Sequence, residues 1–359
     1  MFGIFRCLLA LMVVIQHLGG AHTLGSYAVF GFYILSGYLM TSIMHKQYGY
    51  SAKGTGRYAL NRFLRIYPMY FLSICITLVL LYVWGNSSLS AFHDCVYLPQ
   101  TSTEVLRNIF MYFSVTDCPR LTPPSWALAV EVCFYILIGL GLSRFKVLTL
   151  LWFALSVIYH LVAMYFAFDW SDRYFTVVAA SLPFATGALI FHFKSRIDVF
   201  TARFSSTAVS ILLFALGAFI ILNWGVGTLL NQVKGVSFYI NYLLIVFVIM
   251  ILAGVKTKNS NLLACDKWWG ALSYPIYLMH FQVGFLTMAI LNFVGFDIHR
   301  SELLLVLCSL PGLLLVALLF VRFIEMPIEN YRAKVRQSLG PDVTQDVTVN
   351  SPVTFEKAQ

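Results

Sequence analysis

The chain of 359 residues is 60% hydrophobic and only 11% charged, and its formal net charge is +9. A surface this apolar excludes a water-soluble domain of that length and predicts an all-α integral membrane protein. Segments of about 20 apolar residues are long enough to cross a bilayer as helices. We predict about ten such segments, at residues 5–21, 26–45, 63–84, 125–143, 147–168, 174–193, 205–223, 236–255, 268–291 and 303–324.

Lysine and arginine set the predicted orientation, because short cytoplasmic loops carry an excess of both. With both termini placed in the cytoplasm, 19 of the 24 Lys and Arg residues fall inside. The remaining 5 fall outside, namely Arg107, Arg120, Arg173, Lys234 and Arg300. The positive net charge therefore reflects membrane topology and gives no reason to expect nucleic-acid binding.

The first segment contains Arg6 and His17, about 16 Å apart along a helix axis. Ionisable side chains at membrane depth are energetically expensive and usually mark function. A neutral imidazole can take a proton from a hydroxyl at physiological pH, which Lys and Arg cannot do. Alternatively, Arg6 is an interfacial anchor and His17 a hydrogen-bonded packing residue.

The second and third segments offer small residues and cations. Ser36 and Gly37 lie in an aromatic run, and we favour a packing role because small residues let helices approach closely. Arg62 and Arg65 share a helix face at i, i+3 where the third segment leaves the cytoplasm, and Tyr67 follows them. Two guanidiniums there can clamp phosphates bidentately, or they only anchor the topology.

The fourth segment contains Glu131, the acidic residue that we place well inside the membrane, with Trp126 before it and Tyr135 one turn after it. A buried carboxylate needs a partner, and an Arg or His of another helix is the expected one. The pair would be a structural ion pair or a support for catalysis.

The ninth segment contains Tyr277 and His280 at i, i+3. His280 can line the same cavity as His17, or it can be a satisfied core histidine. No sequence pattern typical of a metal site or a nucleotide-binding loop occurs in the chain.

The longest outside loop, at 85–124, contains Cys95 and Cys118, which can pair on an oxidising side or remain free thiols. The same loop contains a predicted interfacial helix at 103–113. The sequence turns polar after residue 330. We therefore predict one transmembrane domain at 1–330 and a short, disordered cytoplasmic tail at 331–359.

Taken in order, these motifs resemble those of acyltransferase family 3. Its opening Arg, ten residues, then His is matched by Arg6 and His17. The later family motifs are an aromatic run ending in Ser-Gly, an RxxR before Tyr-Pro, a W-x-L-x-x-E-x-x-F-Y, an S-Y-x-x-Y-L-x-H and an E-x-P. They are matched, in this order, by Phe32, Tyr33, Ser36, Gly37, Tyr38, Arg62, Arg65, Tyr67, Pro68, Trp126, Leu128, Glu131, Phe134, Tyr135, Ser273, Tyr274, Tyr277, Leu278, His280, Glu325 and Pro327. The chain departs from the family at Phe30, where many members carry an acidic residue.

The resemblance implies a multi-pass O-acyltransferase of the bacterial inner membrane, in the form without a fused hydrolase-like domain. Such an enzyme moves an acyl group, usually acetyl from cytoplasmic acetyl-CoA, to a hydroxyl of a surface glycan such as lipopolysaccharide O-antigen or exopolysaccharide. The expected partners are acetyl-CoA, a free or lipid-linked glycan and membrane lipid, with no permanently bound cofactor, no metal and no nucleic acid.

The resemblance also implies roles for the motif residues. His17 would act as general base or transient acyl carrier, with Glu131 and His280 completing the catalytic set. The cofactor-binding residues would be Arg6, Arg62 and Arg65, and the supporting residues Ser36, Tyr67, Trp126, Tyr135 and Tyr277. A transporter or flippase of glycan or acyl intermediates is the alternative, since buried Glu and His suit transport too. The cytoplasmic arginines separate the two, because a proton-coupled porter does not need them.

Overall fold

The computed structural model describes residues 2–112, 117–255, 257 and 259–337, and it describes residues 336 and 337 by their backbone alone. Within these ranges the chain is helical and contains no strand. The helices of the first half are α1 Gly3–Gly19, α2 Leu24–Ile43, α3 Ala52–Phe92, α4 Ser102–Phe110, α5 Ser125–Gly139, α6 Lys146–Tyr165 and α7 Trp170–Tyr174. Those of the second half are α8 Val177–His192, α9 Lys194–Thr201, α10 Ser206–Leu229, α11 Val236–Gly254, α12 Ser260–Phe293, α13 Leu303–Phe320 and α14 Met326–Gln337.

Each of the ten predicted segments coincides with a helix, which confirms an all-α membrane protein. In the described part of the chain, 8 helices are long and apolar enough to cross a membrane. The helices α1 and α5 are shorter, so the count of ten spans and the cytoplasmic placement of the termini stay predictions. Helix α3 starts earlier than predicted because Ser51 caps it, and it breaks at Gly85, whose φ is 81°.

The centre of the molecule is formed by α1 and α2, which pack against α12 and α8. The α2–α8 contact requires glycine on both helices. A Cβ on Gly37 would lie 2.2 Å from the carbonyl oxygen of Phe184, and one on Gly187 would lie 2.0 Å from that of Ile34. Gly37 therefore has the packing role expected of it.

The cations expected on opposite sides of the membrane lie at opposite ends of the bundle. At the loop end, Arg120 and Lys234 line one cavity, and Arg300 binds the carbonyl oxygen of Phe92 beside it. At the basic end, Arg332 binds Asn61 near the start of α3. We use these two names, loop end and basic end, throughout.

The loop between α3 and α5 is tied together at the loop end. Cys95 and Cys118 form a disulfide with their Cα atoms 5.0 Å apart, which settles the pairing that the sequence left open. The predicted helix at 103–113 is present as the shorter α4, which ends at Phe110, and residue 113 lies outside the described residues. Helix α4 is capped by Thr101 and Glu104, and it exposes apolar side chains such as Phe110.

The predicted tail starts inside a helix. Residues 331–337 continue α14. Arg332 is buried, and there it donates to Asn61 at 2.9 Å and to Glu329 at 2.6 Å. The boundary at 330 is thus not a structural one. The rest of the predicted tail, at 338–359, lies outside the described residues.

Candidate functional site

Helix α1 carries the two ends of the candidate site. Arg6 lines a small central cavity of about 50 Å³, and His17, three turns on, lines a larger cavity of about 460 Å³ that opens at the loop end. The two cavities share Val29 of α2 and Tyr277 of α12 as lining residues, so they adjoin at these side chains. The large cavity has the size of an ordinary ligand pocket.

His280 of α12 lies beside His17, but it is fully buried and is not among the lining residues of the large cavity, so the prediction that it lines the cavity of His17 is wrong. The ring centroids are 5.3 Å apart, and Phe281 packs 5.0 Å from His17. The Nδ1 of His280 is 2.7 Å from the carbonyl oxygen of Tyr277. Because a carbonyl only accepts, Nδ1 carries the proton and the lone pair of the neutral ring is on Nε2. That Nε2 is buried and has no hydrogen-bond partner.

Arg300, in the loop between α12 and α13, fixes the end of α1. It donates to the carbonyl oxygen of His17 at 3.0 Å and to that of Phe92 at 2.7 Å, and the next residue, Ser301, donates to Leu18. These carbonyls of the last turn have no partner within their own helix, so the loop caps α1 where it carries His17. Sequence reasoning missed this role and treated Arg300 only as an outside charge.

His93 lies just beyond α3 and lines the large cavity. Burial, together with the nearby Arg300 and Arg120 guanidiniums, lowers its pKa to about 4. His93 is therefore neutral at physiological pH. Its ring packs 4.8 Å from that of Phe281, which also contacts His17.

Glu131 lines the central cavity together with Arg6. The prediction that an Arg or His would bind it directly is wrong. Its carboxylate instead accepts hydrogen bonds from the hydroxyls of Ser36 on α2 and Tyr135 one turn along α5. Ser36 therefore does more than the packing expected of it, because a hydroxyl on the facing helix satisfies the carboxylate. The attraction of Arg6 acts across the cavity without a direct ion pair.

The two arginines of α3 differ in their partners. Arg65 forms a salt bridge with Glu325, which follows α13, and its guanidinium lies 5.8 Å from the ring of Tyr274. Arg62 donates to Asn61 at 3.0 Å, and its buried Nε has no partner. Arg62 and Arg65 are the two arginines predicted to clamp a phosphate. Of these two, Arg65 is neutralised by Glu325, whereas no carboxylate of the described residues neutralises Arg62.

A lipid-facing groove of about 270 Å³ lies between α3 and α5 at the basic end. Arg62, Tyr67 and Tyr135 line it. The hydroxyl of Tyr135 binds Glu131 of the central cavity. Groove, central cavity and large cavity therefore follow one another from the basic end to the loop end.

The remaining predicted residues line this series. Trp126 lines the large cavity and packs 4.7 Å from the ring of Phe175. The Tyr277 hydroxyl donates to the carbonyl oxygen of Pro124 at 3.1 Å, which joins α12 to the start of α5. The Tyr67 hydroxyl donates to the carbonyl oxygen of Phe110. No cluster of His, Cys, Asp or Glu able to hold a metal ion occurs among the residues that the structure describes.

The sequence model of one protein family, described as an acyltransferase domain, matches residues 2–322. The chain belongs to acyltransferase family 3. This family assignment makes the chain an acyltransferase and a multi-pass membrane protein, and it does not favour the transporter alternative. Comparison with curated proteins and with solved structures gave no significant match.

Proposed function

We propose that this acyltransferase moves an acetyl group from acetyl-CoA at the basic end to a hydroxyl of a surface glycan at the loop end. The observation that carries the proposal is the series of cavities along α1, with unneutralised cations at one end and paired imidazoles at the other. A donor and an acceptor that approach from opposite ends would meet near His17.

The donor would bind by its charges. The diphosphate and 3′-phosphate of CoA are strong acceptors, and guanidinium forks match them bidentately. Arg62 and Arg6 are the available cations, with Arg65 at i, i+3 from Arg62 but bound to Glu325. The pantetheine arm would pass Glu131 and bring the thioester toward His17. The central cavity, at about 50 Å³, would have to widen to admit it.

The reaction needs one base and one acid. His17 takes the proton of the acceptor hydroxyl while the oxygen adds to the thioester carbonyl carbon. The C–S bond then breaks, and the CoA sulfur leaves with a proton returned from His17. His280, with its Nε2 lone pair beside His17, would steer the ring or relay the proton. An acyl group carried transiently on His17 would follow the same route in two steps.

The test is acetyl transfer by the purified protein in nanodiscs with radiolabelled acetyl-CoA. His17→Ala should lower transfer by about 10²–10⁴-fold, the usual contribution of a positioned base. The matched control is His299→Ala, a histidine that lies exposed in the loop before α13. Transfer by His17→Ala at the wild-type rate would remove His17 from the mechanism.

The identity of the acceptor and the membrane location of the protein have to be tested in cells. Bacterial surface glycan should lose the mass of one acetyl group per modified unit when the gene is removed, whereas loss of a succinyl mass would change the donor. In the bacterial inner membrane, reporter fusions at Lys53 and Lys146 should be cytoplasmic. Fusions at Asp172 and Lys234 should be exported. One inverted pair would overturn the proposed direction of transfer.

A further inference from the structure

The large cavity at the loop end has two kinds of wall. Aromatic rings form one, with Trp126, Trp170 and Phe175 among the lining residues, and apolar aromatic surface suits the C–H face of a sugar ring. Arg120 and Lys234 belong to the other. The described residues that line the cavity include no Asp or Glu.

Arg120 is built into the wall of the cavity. Its backbone N–H donates to the carbonyl oxygen of Cys95 at 2.7 Å, so the disulfide loop holds it in place. Only 8% of Arg120 is exposed, and its Nε and Nη1 have no hydrogen-bond partner. Asp117 attracts Arg120 from a distance and is itself bound to Arg107 at 3.1 Å.

A buried guanidinium without a bound carboxylate is costly, because its desolvation is not compensated by a partner. The charge is also effective, because the cavity wall has a low dielectric constant and screens little. Lys234 adds a second cation that is exposed at the cavity mouth. Arg120 and Lys234 are the arginine and the lysine among the described lining residues.

The hydrogen-bonding character of the lining points the same way. A neutral sugar offers mostly hydroxyl donors and is well served by carboxylate acceptors in its site. This lining offers cationic donors and no carboxylate among the described residues. An acceptor that carries its own anionic group would complete the site.

We propose that the acceptor glycan is anionic and that its carboxylate or phosphate is bound by Arg120 and Lys234 while a neighbouring hydroxyl faces His17. The inference rests on the proposed function and names its acceptor class. The aromatic wall would hold the sugar ring between the anion site and the imidazole. Acceptor choice would then depend on charge as well as on shape.

Binding tests the charge directly. The probes are methyl glucuronide, methyl glucoside and methyl glucoside 6-phosphate, titrated against the full chain in nanodiscs without acetyl-CoA. Both anionic probes, or one of them, should bind about 10- to 100-fold more tightly than the neutral glucoside, the usual range for a charge-assisted bond. Preference for the glucuronide identifies a carboxylate as the anion, and preference for the phosphate ester identifies a phosphate.

Variants assign the preference to residues. Arg120→Gln should reduce the ratio of anionic to neutral affinity about tenfold or more, and Arg120→Lys should restore part of it. Arg173→Gln is the matched control, because it removes an arginine near the same end that does not line the cavity, and its ratio should equal that of the wild type. Lys234→Gln should act in the same direction as Arg120→Gln with a smaller effect, because Lys234 is exposed.

Two separate results keep this inference apart from the proposed function. Equal affinity for charged and neutral probes, or no binding of either anionic probe, overturns the anionic acceptor whatever the transfer assay gives. Anion-selective binding that depends on Arg120 supports it even in a preparation that transfers no acetyl group. In that case it is the donor or the reaction of the proposed function that fails.

Discussion

The clearest test of how the fold positions His17 is the substitution Arg300→Gln. Arg300 joins the end of α1 to the end of α3 through the carbonyl oxygens of His17 and Phe92. Charge-assisted hydrogen bonds are worth about 1.5–3 kcal/mol each. Because Arg300 is only partly buried, the lower value applies to both bonds, and their loss should cost about 3 kcal/mol.

The effect on turnover should exceed a simple loss of stability. The freed carbonyl of His17 lies in the last turn of α1, and its helix end also loses a cation that favours it electrostatically. A displacement of about 1 Å at a reacting group can cost 10²-fold in rate. We therefore expect Arg300→Gln to lower kcat by about 10- to 100-fold and to leave the KM for acetyl-CoA unchanged, since in the proposed function the donor's charges would bind at the basic end.

The assay measures thermal unfolding and steady-state transfer in the same nanodisc preparation. Arg300→Lys should recover part of kcat because it can still satisfy one carbonyl, and Arg173→Gln serves as the control for charge at the loop end. A lower melting temperature with an unchanged kcat would make Arg300 purely structural. A raised KM for acetyl-CoA would instead place the donor at the wrong end.

Three further predictions concern the basic end, the centre and the loop end. Arg62→Lys should raise the KM for acetyl-CoA about tenfold, whereas Arg65→Lys should mainly lower the melting temperature because Glu325 holds it; the reverse pattern would exchange their roles. Glu131→Gln should reduce the transfer rate at least about tenfold at equal protein level, because it removes the carboxylate that orders two hydroxyls and faces Arg6. Transfer at the wild-type rate would make the role of Glu131 purely structural. His93, with its pKa lowered from 6.5 to about 4, resists protonation in the folded state, so unfolding free energy should fall by up to about 3 kcal/mol as pH drops through that interval. His93→Gln should flatten this part of the curve, and an unchanged slope would contradict the argument.

Local patterns predicted the helices and the residues that each carries. Each hydrophobic segment of spanning length coincides with a helix, because such a segment must satisfy its own backbone hydrogen bonds in lipid. The bounds are less well predicted, since α3 and α12 begin 11 and 8 residues before the predicted starts. The spacing of Arg6 and His17 on one helix also followed from sequence. The sequence offers two alternatives for His280, a cavity-lining residue or a satisfied core histidine, and neither describes it fully, because it lies buried beside His17 with its Nε2 unpaired.

Partners from distant parts of the chain could not be predicted in the same way. Arg65 binds Glu325, 260 positions away, and the carbonyl of His17 is bound by Arg300, 283 positions away. Counting Lys and Arg residues in each loop indicates only the side of the membrane on which that loop lies. It cannot indicate which carbonyl or carboxylate an arginine binds. Glu131 was assigned the wrong kind of partner for a related reason: hydroxyls of Ser36 and Tyr135 can satisfy a carboxylate as well as a cation can.

The two helices that carry His17 and Glu131 are the two that are too short to count as spans, and this shortness follows from their positions. At 1.5 Å per residue, α1 and α5 are roughly 25 and 22 Å long, against a hydrocarbon core of about 30 Å. A helix packed within protein need not match the bilayer, and α1 is covered by α2 and α12. On the proposed route, the acyl group would pass Tyr277, because this residue lines both cavities.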